Sequence, residues 1–355
     1  MDERRLWHEE LAGAGPSQTR KRQKTFHHDP GNAAYEPGYG LPTLQHDDYT
    51  IAWICALPIE GAVARAMLDD IHAPLPTQVN DSNTYTLGSI GQHNIVIACL
   101  PEYGTNNAAN VLVHLMRTFT SIRLSLMVGI GGGAPGKANI RLGDIVVGTR
   151  VMQHDLGKLV GDGRIQTTAI PKTLNPSLGK VVSTLRSKHE LEPSRVPSIL
   201  QQKLARYPEY NRPTSQDRLF QATYNHDPET PSCDGCDQSK LVPRSRRKSD
   251  DPMIHYGAIA SGNQVVRHGT TRDDLARRLD VLCFEMEAAG MMGELPCLTI
   301  RGICDYSDTH KDKQWQRYAA ATAAAYTKEF IETLPATEAQ PKILHIPNPR
   351  KFTYY

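Results

Sequence analysis

The sequence predicts a single three-layer α/β domain, in which helices flank a mixed, largely parallel central sheet. Short β-branched and aromatic runs of buried-strand length alternate with segments of helical period. Strands that alternate with helices build a helix-covered sheet in which most neighbours are parallel. A length of 355 residues is also sufficient for one large domain with an insertion.

The predicted strands are apolar runs bounded by turn residues. The first, Tyr49–Ala56, is stopped by Leu57 and Pro58, and two later runs form a hairpin at Gly91. The run Leu124–Val128 is expected to close in a glycine turn, Gly129–Gly133. In chain order the predicted strands are 49–56, 85–90, 94–100, 124–128, 145–151, 256–262, 281–286 and 297–303.

The predicted helices have apolar residues at helical spacing. In the first helix they stand at positions 59, 62, 63, 66 and 67, and Pro58 occupies a position that can open the helix. The last helix is rich in alanine, and Trp315 and Tyr318 at its start are expected in the core or an interface. The predicted helices are 59–70, 106–118, 176–190, 196–206, 271–279, a short helix opening at Glu287, and 313–334.

Three segments fall outside this alternation. Residues 1–46 are polar and aperiodic and predict a disordered arm, in which the basic cluster Arg20–Lys24 is either a nuclear-import signal or part of a solvated tail. Residues 156–252 predict an insertion in the 47–335 domain, with two helical pieces followed by a long mobile loop. Residues 336–355 predict a linker or a docking strand.

Composition excludes several classes of protein. A net charge of +2 makes no electrostatic case for a nucleic-acid or membrane-surface protein. No apolar run approaches the roughly 18 residues of a membrane span, and the N-terminus lacks the apolar core of a secretory signal. Seven cysteines, mostly in apolar runs, favour a reducing compartment. We therefore expect an intracellular protein, cytoplasmic or nuclear, without a nucleic-acid or membrane partner.

Three acidic residues stand where predicted strands end. They are Glu60, Glu287 and Asp305. Open α/β sheets bind their ligands at the carboxyl ends of the strands. Each acid alone is explained equally well as a cap of the following helix. All three at equivalent positions favour a shared site.

Five motifs in order resemble one family. They are Ala56–Glu60, Gly129–Gly133 followed by Leu142–Val147, Ala260–Gly262, Phe284–Ala289 and Arg301–Asp308. Together they are similar to the purine nucleoside phosphorylase and methylthioadenosine/adenosylhomocysteine nucleosidase superfamily. The resemblance covers residues 49–155 and 253–334. It is strongest to a fungal branch found as the N-terminal module of larger immune-receptor-like proteins.

The resemblance implies a purine nucleoside site. Glu287, with Met286 beside it, would hold the ribose hydroxyls. Asp305 would protonate the purine N7, and burial is expected to raise its pKa for that task. The remaining implied substrate-binding residues are Val265 and Val266 as an apolar shelf for the base, Asn263 and Gln264 as polar contacts, Gly131 and Gly132 as a close backbone approach to the sugar, and Tyr103 as a stacking or packing residue.

Glu60 bears on whether water or phosphate attacks the sugar. The resemblance implies basic residues near this loop in phosphorylases, whereas here Glu60 is the ionisable group. A carboxylate about 4 Å from an anion costs on the order of 4 kcal/mol at an effective dielectric of about 20. Glu60 is therefore expected to activate water, unless Lys137, Arg141 or an arginine of the insertion supplies the missing charge.

The resulting prediction is a purine nucleosidase that needs no cofactor and no metal. The resemblance also implies a homo-oligomer with the pocket near a subunit interface. Two alternatives stay open: a phosphate-dependent phosphorylase, and a nucleoside-sensing or ATP-cleaving effector module. Adenine or guanine preference is left undecided.

Further residues have weaker signals. Cys233 and Cys236 have the spacing of half a zinc site, with His226 or His255 as completions, or they form a free-thiol turn. His154 is expected to have a structural or subunit-contact role. His268 is expected either to reach the 5′ group of the ligand or to be solvated.

Overall fold

The computed structural model describes residues 44–161, 165–168, 170–230, 232–293 and 295–335. The helices are α1 Pro58–Met67, α2 Thr105–Thr118, α3 Pro176–His189, α4 Val196–Leu204, α5 Gly269–Leu279, α6 Ala288–Met291 and α7 Gln316–Thr333. The strands are β1 Ile51–Cys55, β2 Asp70–Ile71, β3 Tyr85–Ile90, β4 His93–Cys99, β5 Leu124–Gly133, β6 Ile145–Gln153, β7 Gly157–Leu159, β8 Ile165–Thr167, β9 Lys172–Thr173, β10 Ile254–Ser261, β11 Val281–Glu285 and β12 Cys297–Asp305. Every helix and strand predicted above is present, and the short pieces β2, β7, β8 and β9 are additional.

One mixed sheet of ten strands organises the described residues, in the order β11-β10-β6-β12-β5-β1-β4-β3-β2 with β9 beside β6. Parallel ladders join β1 to β4 and β5, β12 to β5, and β10 to β6 and β11. Antiparallel contacts join β12 to β6 and β11 to β5. As a result β5, β11, β10, β6 and β12 form a closed ring. The predicted mixed α/β sheet is confirmed.

Helices cover the sheet on both sides. The larger core lies under α1, α3, α4 and α7, where apolar residues of β1, β5, β6 and β12 pack against the alanine-rich face of α7. A second core lies under α2 on the opposite face. Trp315 and Tyr318 are buried against Ala319 and Cys304, which confirms their predicted packing role.

The glycine run was predicted to form a turn, but this prediction is wrong. In the structure the run is the last half of β5. Gly129–Gly133 is extended and pairs with β12 on one side and, at its end, with β11 on the other. None of these glycines has a positive φ. They are required by space, because a Cβ on Gly129 would collide with the Glu60 carboxylate and lie 2.8 Å from Nη1 of Arg301.

The insertion packs against the domain where a mobile loop was predicted. Phe220, Cys233 and Cys236 form a small buried cluster. Arg244 donates to the Tyr306 hydroxyl at 2.7 Å, just after β12. Arg247 pairs with buried Asp144 at 2.6 Å. These contacts hold the second half of the insertion against the end of β12.

Most of the predicted arm, including Arg20–Lys24, lies outside the described residues. The whole predicted tail lies outside them as well. The described chain begins at Leu44, and a short 3-10 helix at His46–Asp48 leads into β1. No described helix has the length and apolar character needed to cross a bilayer.

Candidate active site

The carboxyl ends of β5, β11 and β12 meet at one glycine. Gly132 lies opposite Asp305 of β12 in one ladder and opposite Phe284 of β11 in the other. Glu285 and Glu287 follow Phe284 directly, and the end of β1 leads into α1 with Glu60 in its first turn. The topology therefore brings all three predicted acids to the same end of the sheet.

A buried arginine joins the carboxylates. Arg301 of β12 is 1% exposed, and its Nη2 donates to Glu285 and, at 3.0 Å, to Glu287. Its Nη1 donates to the Ile130 carbonyl at 3.1 Å. The charges of Glu285, Glu287 and Glu60 hold the pKa of Arg301 above its ordinary value although burial opposes ionisation. Three acids thus surround one guanidinium.

Glu60 is 2% exposed and accepts three backbone hydrogen bonds. Oε2 accepts from the amides of Ala56 and Leu57 at 2.7 and 2.9 Å, and Oε1 accepts from Ile130 at 2.8 Å. Burial raises its pKa, against the opposing effect of Arg301 and of these amides. Glu60 also caps α1, because Leu57 is the N-cap residue of that helix. The alternative explanation of Glu60 as a helix cap is therefore correct in part.

Glu287 is 3% exposed and lies at the start of α6. Oε1 accepts from the Gly104 amide at 3.3 Å, and Oε2 accepts from Arg301. Burial, together with the negative charges of Glu285 and Glu60, raises the pKa of Glu287 to about 7. The neutral form of this carboxyl is therefore favoured relative to an exposed glutamate.

Glu285 is the carboxylate that caps α6. It accepts from the amides of Glu287 and Ala288 at 3.0–3.2 Å as well as from Arg301. Its oxygens are occupied by the helix end and the guanidinium. Glu285 therefore fixes Arg301 and leaves Glu287 as the more available acid.

Asp305 differs from the prediction in its ionisation. Burial does oppose its charge, but Lys311 at 3.0 Å, the Cys304 thiol at 3.0 Å and the Ser307 amide at 2.9 Å outweigh burial. The pKa of Asp305 is therefore lowered and not raised as predicted. Lys311 was not identified from the sequence, and it makes Asp305 part of an ion pair.

Gly131 and Gly132 line these groups as backbone. A Cβ on Gly132 would lie 2.8 Å from Oδ1 of Asp305 and collide with the Ser307 hydroxyl. The buried Cys304 thiol lies 3.6 Å from the Gly131 carbonyl and 3.0 Å from Oδ2 of Asp305. Asp305 and the Glu60 cluster are thus neighbours along β5 and β12.

Asn263 has a different partner from the predicted ligand contact. Its Oδ1 accepts from the backbone amide and the hydroxyl of Thr105 at 3.0 and 3.1 Å. Its backbone amide donates to Asp155 at 2.7 Å. These bonds hold the Gly104–Thr105 segment that donates to Glu287. Asn263 therefore positions the backbone segment that contacts Glu287.

The other predicted ligand contacts lie in exposed or half-buried positions. Gln264 is exposed, and Val265 is 46% exposed. Val266 packs beside β10 and β11, and Met286 is half-buried between the two glutamates. Tyr103 is 46% exposed, so it is available for stacking and does not pack in the core.

Two of the cations considered for phosphate binding, Lys137 and Arg141, are engaged elsewhere. Lys137 pairs with Asp280. Arg141 donates to the Ser245 carbonyl in the insertion. Neither bond is directed at Glu60.

The remaining histidine candidates have separate environments. His154 is buried edge-to-face against Phe284, which fits the expected structural role. His268 bonds Thr271 at 2.8 Å. His255 pairs with Asp144 at 2.9 Å, so it does not complete a site with Cys233 and Cys236.

Comparison with known proteins decides the family. The family model described as the phosphorylase superfamily matches residues 50–332. The chain belongs to the phosphorylase superfamily. The match runs through the insertion, which is therefore carried inside a phosphorylase-superfamily domain.

Relatives within this superfamily differ in length. A nucleotide-binding leucine-rich repeat (NLR)-like protein of Hyaloscypha variabilis is 43% identical over 326 residues, which cover 87% of this chain and 32% of that protein. The chain thus spans about a third of that relative's length. A 5′-methylthioadenosine/S-adenosylhomocysteine nucleosidase of Mycobacterium bovis is 24% identical over 297 residues, covering 82% of this chain and 98% of the relative.

Solved structures share the superfamily fold. The 5′-methylthioadenosine/S-adenosylhomocysteine nucleosidase of Helicobacter pylori aligns with a TM-score of 0.54 and 16% identity, covering 81% of this chain and 99% of that one. Futalosine hydrolase of the same organism also has a TM-score of 0.54 and 16% identity, with 82% and 100% coverage. These likenesses support the three-layer α/β fold.

Proposed function

We propose that this protein hydrolyses the N-glycosidic bond of a purine nucleoside, yielding the free base and ribose. The observation that carries the proposal is the buried cluster of Glu60, Glu285 and Glu287 around Arg301. Even with Glu287 neutral, two carboxylates face one guanidinium, so the cluster has no surplus positive charge for a phosphate dianion. A neutral water molecule meets no such electrostatic opposition.

Glu60 is assigned to the attacking water. A carboxylate has about four lone-pair sites, and three of those on Glu60 are taken by backbone amides. One site is left to accept from water. The raised pKa makes Glu60 a stronger base than an exposed glutamate, which suits the removal of a proton from that water.

Glu287 is assigned to the sugar. Two of its lone-pair sites are used by Gly104 and Arg301, which leaves two for the 2′- and 3′-hydroxyls of ribose. Arg301 and Asn263, through Thr105 and Gly104, hold this carboxylate in place. Met286 and Tyr103, which precede Glu287 and Gly104 in the sequence, are assigned to the same side.

Asp305 and Lys311 are assigned to the base. As the glycosidic bond breaks, its electron pair moves onto the purine and N7 becomes basic. Asp305 is ionised before substrate binds, and the Lys311 ammonium, 3.0 Å away, is the cationic proton donor in contact with it. We assign proton transfer from Lys311 through Asp305 to N7. Lys311, with 28% of its side chain exposed, then regains a proton from solvent.

A second candidate function is a nucleoside-sensing or nucleotide-cleaving module of a larger receptor. The observation that favours it is the 43% identity to the NLR-like Hyaloscypha protein, of which this chain spans 32%. The two candidates share the same pocket. They differ in whether turnover or binding is the output.

The experiment is a product assay with the purified chain. Adenosine, guanosine, inosine, uridine, methylthioadenosine and ATP are each incubated with and without phosphate, and base, ribose and ribose 1-phosphate are measured. In the absence of phosphate, we expect a purine substrate to give free base and a sugar that is unphosphorylated at C1, and we expect Glu60→Gln to slow this reaction strongly. Strict dependence on phosphate, with ribose 1-phosphate as product, would replace hydrolysis by phosphorolysis. Ligand binding without turnover would favour the sensing module.

A further inference from the structure

A second cluster of reactive side chains lies behind Asp305, between the insertion and the loop that follows β12. His226, Cys233 and Cys236 come from the insertion, and His310 comes from the loop. Cys233 and Cys236 are 7% and 9% exposed, and 5% of the His310 side chain is exposed. The cluster is separate from the Glu60–Arg301 group and has no part in the chemistry assigned above.

The distances from His226 to the two thiols fall in the range expected between ligands of one tetrahedral metal ion, and His310 lies close enough to join them. Nδ1 of His226 lies 3.3 Å from Sγ of Cys236 and 3.8 Å from Sγ of Cys233. The ligand atoms of His226, Cys236 and His310 all lie within 4.8 Å of one another. Zinc bonds of about 2.3 Å to sulfur and about 2.0–2.1 Å to nitrogen place tetrahedral ligands roughly 3.3–3.8 Å apart.

The burial of the His310 ring is not explained by packing alone. Among the described residues, neither of its ring nitrogens has a hydrogen-bond partner, although the ring is buried. Burying an imidazole without partners for its nitrogens is unfavourable. The ring stacks on Phe220 with centroids 4.1 Å apart, and Oδ1 of Asp308 lies 3.7 Å from Nδ1.

His226 is held in the tautomer that a metal ligand needs. Its Nε2 lies 3.1 Å from the Thr230 carbonyl, an acceptor that requires a proton on Nε2. Nδ1 is then unprotonated and directs its lone pair toward the two thiols. A hydrogen bond from the second ring nitrogen to a carbonyl is the usual support of a metal-bound histidine.

We propose that His226, Cys233, Cys236 and His310 bind one structural zinc ion. Two thiolates and two imidazoles are a donor set of closed zinc sites, and binding releases the thiol protons to solvent. The ion joins the insertion to the loop 306–312, which also carries Lys311. A cavity lined by Cys233, His310 and Asp305 separates the metal site from the active site. Zinc therefore holds in place the segment from which Lys311 reaches Asp305.

The test is the metal content of the untagged full-length chain, purified under reducing conditions without chelator. Elemental analysis should give about one zinc per chain, falling to less than about a tenth in Cys236→Ser and His310→Asn. Cys99→Ser, a change at an exposed free cysteine, is the matched control and should keep its zinc. Zinc absent from the wild-type chain, or unchanged in Cys236→Ser, would overturn the proposal.

Cobalt substitution keeps the proposal testable if a variant fails to fold. Wild-type chain stripped of metal and reloaded with Co²⁺ should show thiolate-to-cobalt charge-transfer bands and the intense d–d bands of tetrahedral coordination. The stripped chain should also melt at a lower temperature than the reloaded one. Octahedral cobalt spectra, or a Cys233–Cys236 disulfide in the reduced preparation, would contradict a zinc site.

Discussion

Glu287 is expected to reduce the stability of the ligand-free protein above neutral pH. Its pKa in the fold is about 7, against an ordinary value of 4.5, because burial and two neighbouring carboxylates oppose its charge. That difference corresponds to about 3 kcal/mol at ~1.36 kcal/mol per pKa unit. A carboxyl whose folded pKa is raised contributes stability below pH 4.5, and this contribution is lost as pH rises through about 7.

The perturbation is Glu287→Gln, which keeps a hydrogen-bond acceptor for Arg301 and removes the charge. The free energy of unfolding is measured in urea at pH 5 and pH 8 for both chains. The change caused by the substitution should be more favourable at pH 8 than at pH 5 by about 2–3 kcal/mol. Comparing the two pH values cancels the loss of hydrogen-bond geometry, which is the same at both.

Glu102→Gln supplies the control, because Glu102 is an exposed glutamate on a nearby loop. It should show the same change at both pH values. If Glu287→Gln also gives equal changes, the carboxyl is not the source of the pH dependence and the buried cluster has a different charge state. The same variant should bind ribosides more weakly, which links the destabilisation to the ligand.

Three other perturbations test the active-site geometry. Gly132→Ala places a methyl group against Asp305 and should lower kcat about 100-fold, as expected for a displacement of about 1 Å, when base release is followed by absorbance. Lys311→Met removes the assigned source of the N7 proton and leaves Asp305 as the acid, so kcat should fall and the alkaline limb of the pH–kcat profile should move down by about one unit or more. Glu60→Gln should lower kcat by about 10²–10⁴ with little change in ligand affinity measured by calorimetry.

Each of these has a defined contrary result. Gly136→Ala, where the added methyl group meets open space, should leave kcat unchanged. If Gly132→Ala matches it, Asp305 does not act at that position. An alkaline limb unmoved by Lys311→Met would show that Lys311 is not the source of the proton. Full activity in Glu60→Gln would exclude it as the base.

The fold was predictable because its elements have strong local signals. Pro58 marks the start of α1, and alternating apolar runs separate strands from helices over the range 49–334. The extension of β5 through Gly133 was not predictable from local preference, because glycine favours turns. Its reason is tertiary: side chains from α1 and β12 occupy the space that a Cβ would need.

The candidate site was predictable only as far as each residue had a recognisable neighbourhood. The three acids follow apolar runs and were identified on that basis. The role of Arg301 was not predicted, because it lies within a buried strand and depends on carboxylates at and beyond the end of another strand. A charged residue within an otherwise apolar strand was the available signal. Lys311 had no such signal in the sequence, because it reaches Asp305 only after a polar loop has folded back.

The ring formed by β5, β6, β10, β11 and β12 has a consequence for how a ligand enters. The residues at its closure, Gly132 and Phe284, are hydrogen-bonded within two ladders, so local opening there must break both. Amide hydrogens in that region should exchange with solvent at the slow, global-unfolding limit. We therefore expect any rearrangement on ligand binding to be confined to the segments around Gly104 and Lys311, while the ring of strands stays unchanged.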